Sequence, residues 1–188
     1  EDVEAVVGDA SEQTLDAVRV TARPVKGASV DYLYAWRVNR VFGPDSPQGI
    51  WRDTEIHGVR AGYAIKNVGT LSAYGYWLDI PSQPSSSSRT LGVRMAGELS
   101  VGGKSTFLYA AEYARQHDHG ANPRTFGLDY WLIESGLKTG PFTFKAGFER
   151  LEGNGTVGLQ TPLATLHAFN GWADKFLTTP ANGLRDAN

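Results

Sequence analysis

Apolar and polar residues alternate with period two along most of the chain, the signature of half-buried strands. From residue 30 to 39 one face takes Val30, Tyr32, Tyr34, Trp36 and Val38, and the other Asp31, Leu33, Ala35, Arg37 and Asn39. The same split sets Val59, Ala61, Tyr63 and Ile65 against Arg60, Gly62 and Lys66. It sets Leu91, Val93, Met95 and Leu99 against Arg94 and Glu98, and Phe142, Phe144, Ala146 and Phe148 against Lys145, Gly147 and Glu149. The pattern predicts eight strands, near 14–23, 29–42, 56–66, 70–80, 89–100, 104–116, 125–138 and 142–151.

The connections alternate in length. Segments 24–28, 66–70, 100–104 and 138–141 are tight and contain glycine, whereas 43–55, 81–88 and 118–124 are longer and polar. Strict alternation of short and long connections, with strands of roughly 9–13 residues, fits an up-and-down antiparallel transmembrane β-barrel. The expected fold class is therefore all-β, with residues 1–188 as one barrel domain. Soluble barrels and sandwiches also alternate, with the apolar face inside. Two features favour the membrane. The polar face mixes charges of both signs with Gly and Ala, and aromatics (Tyr32, Tyr34, Tyr63, Phe107, Tyr109, Phe142, Phe144) gather toward the tight-turn ends as an interfacial girdle would. If the short turns are periplasmic, the first strand runs inward and the eighth outward. That direction leads to the expectation that these eight strands are the interior of a larger barrel.

Composition narrows the function classes. The 188 residues include no cysteine, one methionine and 22 glycines, with a formal charge of −2. No disulfide scaffold, thiolate zinc site or cysteine nucleophile is available. A near-neutral balance gives no basic face for nucleic acid. No apolar run approaches about 18 residues, so no transmembrane helix is expected. The acidic Glu1, Asp2 and Glu4 are unlike the cationic start of a signal peptide.

The segment from Gln160 to Leu184, QTPLATLHAFNGWADKFLTTPANGL, does not read as a strand. It closely resembles an outer loop of the alginate export (porin-like) family of proteobacterial outer-membrane β-barrel proteins. Segments Tyr34 to Ser46 and Glu12 to Val20 also resemble that family, so the likeness runs from about residue 9 to 186. The resemblance implies a large single-chain barrel in the bacterial outer membrane, a charged lumen, solute passage, and family chains about twice this length.

In a pore, chemistry is a field rather than bond making. Parity puts Arg37, Arg60, Lys66, Arg94 and Lys145 on the lumen side, with Arg40 at the rim, and the charges of Glu98, Glu112, Asp129 and Glu149 assign them to the same polar face. Basic side chains in such rings attract anions. Internal pairing of Arg94 and Lys145 with Glu98, Glu112, Asp129 and Glu149 is the alternative. In 160–184 the apolar residues recur every three to four positions (Leu163, Leu166, Phe169, Trp172, Phe176), as in a short amphipathic helix starting near Thr161-Pro162. This makes the long outer loop a candidate constriction, with His167, Phe169, Trp172, Asp174, Lys175 and Phe176 as its side chains; packing on the rim is the plainer alternative.

Other constellations are weak. His117-Asp118-His119 reads as a solvated loop before it reads as a metal site. His167 near Asp174 has no serine elbow beside it. Glu112, Asp129 and Glu149 are as well explained by lumen charge as by a glycosidase pair. Gly153-Asn154-Gly155 is a turn, and residues 81–88 (PSQPSSSS) form a low-complexity stretch expected to be mobile. The expectation is a passive channel for anionic or saccharide solutes in contact with outer-membrane lipid, not an enzyme, with no catalytic residue, metal, cofactor or nucleic-acid partner and an open oligomeric state. A closed eight-stranded barrel binding a small apolar ligand, and a plugged structural barrel without transport, are the competing readings.

Overall fold

The computed structural model describes residues 3–4, 13–47, 49–164 and 178–187. Eleven strands appear among them: β1 Val3–Glu4, β2 Thr14–Ala22, β3 Ala28–Asn39, β4 Ile50–Trp51, β5 Glu55–Ile65, β6 Gly69–Asp79, β7 Ser88–Gly102, β8 Ser105–Asp118, β9 Gly127–Thr139, β10 Phe142–Leu151 and β11 Leu184–Ala187. Apart from β4, which pairs with β3 alone, they form one antiparallel sheet in the order β1-β2-β3-β5-β6-β7-β8-β9-β10-β11. Each long strand pairs with its neighbour in sequence, which is up-and-down topology, and the path runs from β1 to β11 without closing. The one helical turn among the described residues is the 3-10 element Pro84–Ser86.

Short turns close the β7-β8 and β9-β10 hairpins. Gly103 (φ 58°) and Gly140 (φ 53°) supply there the left-handed conformation that a side chain would resist.

The period-two pattern becomes two unlike faces. On one face stand exposed large apolar side chains, among them Val20, Val59, Leu91, Ile133 and Phe144. Leaving so much apolar surface uncovered is normal only where lipid or another chain meets it. The opposite face carries the charges and, at the long-connection end, two buried apolar clusters. Ala35, Val38, Ile56, Leu78 and Ile80 form one with Trp51, against which Leu163 packs. Phe126, Leu128, Leu151, Val157 and Leu159 form the other.

One irregularity changes the parity. The register between β2 and β3 shifts between Asp16 and Ala17, so that Ala17 faces Ala35 while Asp16 faces Arg37 and Leu15 faces Val38. The bulge puts Trp36 and Arg37 on the same side and returns Val38 to the buried cluster with Ala35. Segment 81–88, expected to be mobile, is instead fixed. Ser87 and Ser88 are buried, the Ile80 N–H donates to Ser87 Oγ at 2.9 Å, and the Asn122 amide donates to the Ser87 carbonyl at 2.7 Å. Low complexity in sequence does not prevent packing when neighbouring loops accept its backbone groups.

Candidate functional site

The charged face of β6 to β10 and the segment after β10 build one site. Cross-strand register aligns Asp31, Arg60, Tyr74, Gly92, Ala114 and Tyr130 on one rung. The adjacent rung holds Ser72, Arg94, Glu112, Leu132 and Glu149. Residues directly opposite on antiparallel strands share a face, so these side chains look into the same space.

Their hydrogen bonds knit the two rungs. Tyr74 donates its phenol hydrogen to Glu112 Oε1 at 2.5 Å, and Arg94 Nη1 donates to Glu112 Oε2 at 2.6 Å. Glu134 Oε2 lies 3.9 Å from the same guanidinium. Tyr130 donates to Glu149 Oε1 at 2.6 Å. Gly92 makes this possible, because a Cβ there would collide with the Tyr74 ring that reaches across β7 toward Glu112. Toward the β2 edge, Arg19 and Thr21 both donate to Asp31, at 2.8 and 2.7 Å. Arg60, Lys145, Lys138 and Glu98 have no hydrogen-bond or ion-pair partner among the described residues.

A segment folds over this face. Residues 157–164 leave the end of β10 and cross toward β3, pinned at one end by Val157 and Leu159 and at the other by Leu163. Between those anchors sits a reciprocal glutamine latch. The Gln160 N–H donates to Gln116 Oε1 at 2.6 Å, and Gln116 Nε2 donates back to the Gln160 carbonyl at 2.8 Å and to Thr90 Oγ1 at 3.0 Å. Gln160 Nε2 reaches the Ser85 carbonyl at 2.8 Å, and Gln13 Nε2 holds the Leu163 carbonyl at 2.9 Å. Beneath the segment is a cleft of ≈370 Å³ lined by Tyr74, Tyr76, Tyr130, Glu112, Glu149 and Pro162 among others. The return limb lies close by, with the Gly155 N–H donating to the Ala181 carbonyl at 2.9 Å.

The charges expected in the lumen divide three ways. Arg60, Arg94, Glu98, Glu112, Lys145 and Glu149 share the clefted face. Lys66 lies beyond the end of β5, in the turn before β6, and is exposed. Arg37 and Asp129 are corrections, because both side chains stand on the opposite face. The bulge turns Arg37 outward to Asp16 at 3.2 Å. Asp129 sits out of phase with Tyr130 and Leu132, opposite Arg115, which it meets at 3.1 Å. The expected pairing is realised for Arg94 with Glu112, and for Asp129 with Arg115 rather than with Arg94 or Lys145. Arg40 caps the end of β3, its guanidinium 4.5 Å from the Trp51 ring centroid, where burial pushes its pKa down. The constriction residues His167, Phe169, Trp172, Asp174, Lys175 and Phe176 lie outside the described residues.

The sequence reading missed Tyr74, Tyr76, Tyr130, Glu134, Gln116 and Gln160. Parity within residues 70–80 and 127–139 would have found the tyrosines and Glu134. No local signal links Gln116 to Gln160, 44 residues away. Among the described residues no group of three or more His, Asp or Glu side chains is placed to hold a metal ion.

No protein-family model matches the chain, and no curated protein matches it. Solved structures do. OpdL of Pseudomonas aeruginosa is similar at a TM-score of 0.62 and 20% identity, over 84% of this chain and 45% of that one. OccK1 (OpdK) of the same organism is similar at a TM-score of 0.66 and 16% identity, over 85% of this chain and 44% of that one. These proteins are outer-membrane porins, and a further OpdK structure contains vanillate. The fold is that of an outer-membrane porin barrel. The chain spans less than half the length of each of these porins. In a porin barrel the alternate faces of every strand meet lipid and lumen, which is the division seen here between the Leu91–Ile133 face and the Arg94–Glu112 face.

Proposed function

We propose that this chain forms part of the wall of a porin-like channel in the bacterial outer membrane, through which small anionic or sugar-derived solutes pass by diffusion. The observation that carries it is the two-faced sheet. One side is apolar and uncovered, and the other holds hydrogen-bonded charges beneath an inward-folded segment. The apolar side meets lipid and the charged side meets water. Unpaired strand edges cost several kcal/mol per group in hydrocarbon, so the open edges at β1 and β11 are joined by further strands.

Arg94 and Arg19 are neutralised by Glu112 and Asp31, while Arg60, Lys138 and Lys145 have no hydrogen-bond or ion-pair partner among the described residues and are the groups an anion would meet, interleaved with the carboxylates of Glu98 and Glu149. The tyrosines of the cleft offer flat surfaces to a ring, sugar or aromatic. Two finer readings of the solute exist. The resemblance of 160–184 to the alginate export family supports a uronate, and the vanillate in OpdK supports a small aromatic carboxylate. Residues 157–164 narrow the lumen, held there by Gln116, Gln160 and Leu163.

The test is conductance of the purified protein in a planar bilayer under a KCl gradient. Long-lived ohmic steps with a reversal potential of anion sign support the proposal, and block by vanillate or by oligouronates chooses between the solutes. Insertion without conductance means a plugged barrel. A protein that stays in solution without detergent means the ligand-binding barrel.

A further inference from the structure

We infer that the outward face of β7 to β10, at its long-connection end, binds the phosphorylated headgroup of an outer-leaflet glycolipid of the lipid A type. This rests on the membrane reading above and concerns the face that the channel does not use.

Arg89 stands opposite His117 across the β7-β8 ladder, and Arg115 occupies the next rung on the same face, opposite Leu91 and Asp129. Diagonal neighbours on one face lie about 7–8 Å apart, within reach of a common anion for two arginines. Arg89 is exposed and has no hydrogen-bond or ion-pair partner among the described residues. Arg115 bonds Asp129 at 3.1 Å and His117 Nε2 at 3.2 Å, with half its side chain exposed. On β10, Arg150 lies opposite Trp131 on this face and pairs with Glu152 at 3.1 Å.

Below these groups the same face turns wholly apolar: Leu91, Val93, Ile133 and Phe148 are all exposed. Lipid-facing positions of a barrel are expensive for arginine at mid-bilayer and nearly free at the interface. The unpaired Arg89 therefore marks the interface. The connections beside it, 80–87 and 119–126, are long ones, which in such barrels lie outside the cell. The outer leaflet there presents phosphates attached to sugars on many acyl chains, and arginine recognises phosphate by paired hydrogen bonds. Arginines above an apolar wall match that molecule in both parts. The match is local, because on β5 and β6 the rung of Arg89 holds His57 and Trp77 and the next one outward pairs Glu55 with Asp79, which would repel it.

The test uses the full-length protein in detergent with bisphosphorylated hexa-acyl lipid A, read by native mass spectrometry. The Arg89→Gln/Arg115→Gln double variant is expected to lose at least tenfold in affinity. Asp129→Asn removes the carboxylate charge that competes for Arg115 and is expected to tighten binding severalfold, a gain that misfolding cannot mimic. Dephosphorylated lipid A should bind at least tenfold more weakly, and millimolar inorganic phosphate should not displace the lipid. Unchanged affinity in the double variant, indifference to the phosphates, or displacement by inorganic phosphate alone overturns the proposal. Insertion into phosphatidylcholine liposomes separates the two claims. A wild-type protein that inserts but shows no arginine dependence sinks the lipid site alone, whereas failure to insert sinks the membrane reading with it.

Discussion

Gln116→Met probes how the segment over the charged face is held. The Gln116 residue is 2% exposed, and its amide makes three hydrogen bonds, at 2.6, 2.8 and 3.0 Å. Methionine keeps the length and volume but none of the polar atoms. At roughly 1 kcal/mol net per bond, about 3 kcal/mol is lost, and leaving the Gln160 amide unpartnered beside Leu159 adds about 1–3 kcal/mol. Against this, Leu159 and Leu163 keep their apolar contacts, each worth about 1.5–3 kcal/mol when fully buried. The segment should therefore open about three to four orders of magnitude more often, since about 1.4 kcal/mol is tenfold, while the two leucines keep it associated. Single-channel recording reads this directly: larger or noisier conductance steps are expected, with insertion unchanged. Steps of wild-type size and noise in Gln116→Met would refute the reasoning and leave 157–164 as a rim ornament with no hold on the permeation path.

Three further outcomes follow from the same geometry. Arg60→Glu should move the reversal potential toward cations, whereas Arg37→Glu, on the outward face beside Asp16, should leave it unchanged; equal shifts would put the bulge in the wrong place. Gly92→Ala drives a methyl into the Tyr74 ring, breaks its bond to Glu112 and should cost about 1–3 kcal/mol as overpacking does, read by unfolding in detergent micelles; an unchanged midpoint would mean the ring is free to move. Ile133→Arg should cost about 2–4 kcal/mol if it sits at mid-bilayer, while Leu132→Arg on the adjacent, inner position should cost far less, and a reversal of that order would exchange the two faces.

The strands were legible because a half-buried β-strand writes its period directly into the chain. All eight long strands fall within about three residues of their expected ends, and the 24–28, 100–104 and 138–141 connections are the turns that their glycines announce. What failed was parity at a defect. Alternation carried through residues 30–39 puts Arg37 with Ala35, but one extra residue at the β2-β3 bulge reverses it, and nothing in Trp36-Arg37-Val38 signals the insertion. Asp129 failed for a different reason: its charge suggested the lumen, although its phase, two residues before Trp131, was that of the outward face. The short strands β1, β4 and β11 have no periodicity to read and exist through their partners. The glutamine latch is tertiary, joining residues on β8 to a loop beyond β10, and only the fold brings Gln116 and Gln160 together.

The central claim is that one face of this sheet meets lipid and the other meets water, and a chain without cysteine is suited to testing it by single substitutions. Glu98→Cys and Glu134→Cys, both exposed on the charged face, and Val93→Cys and Ile133→Cys on the other, would be treated in intact outer membranes with a charged, membrane-impermeant methanethiosulfonate. The account expects rapid labelling of the two glutamate positions and protection of the two apolar ones. Labelling of residues 93 and 133 at the rate of 98 and 134 would contradict it, because the apolar face would then be facing water.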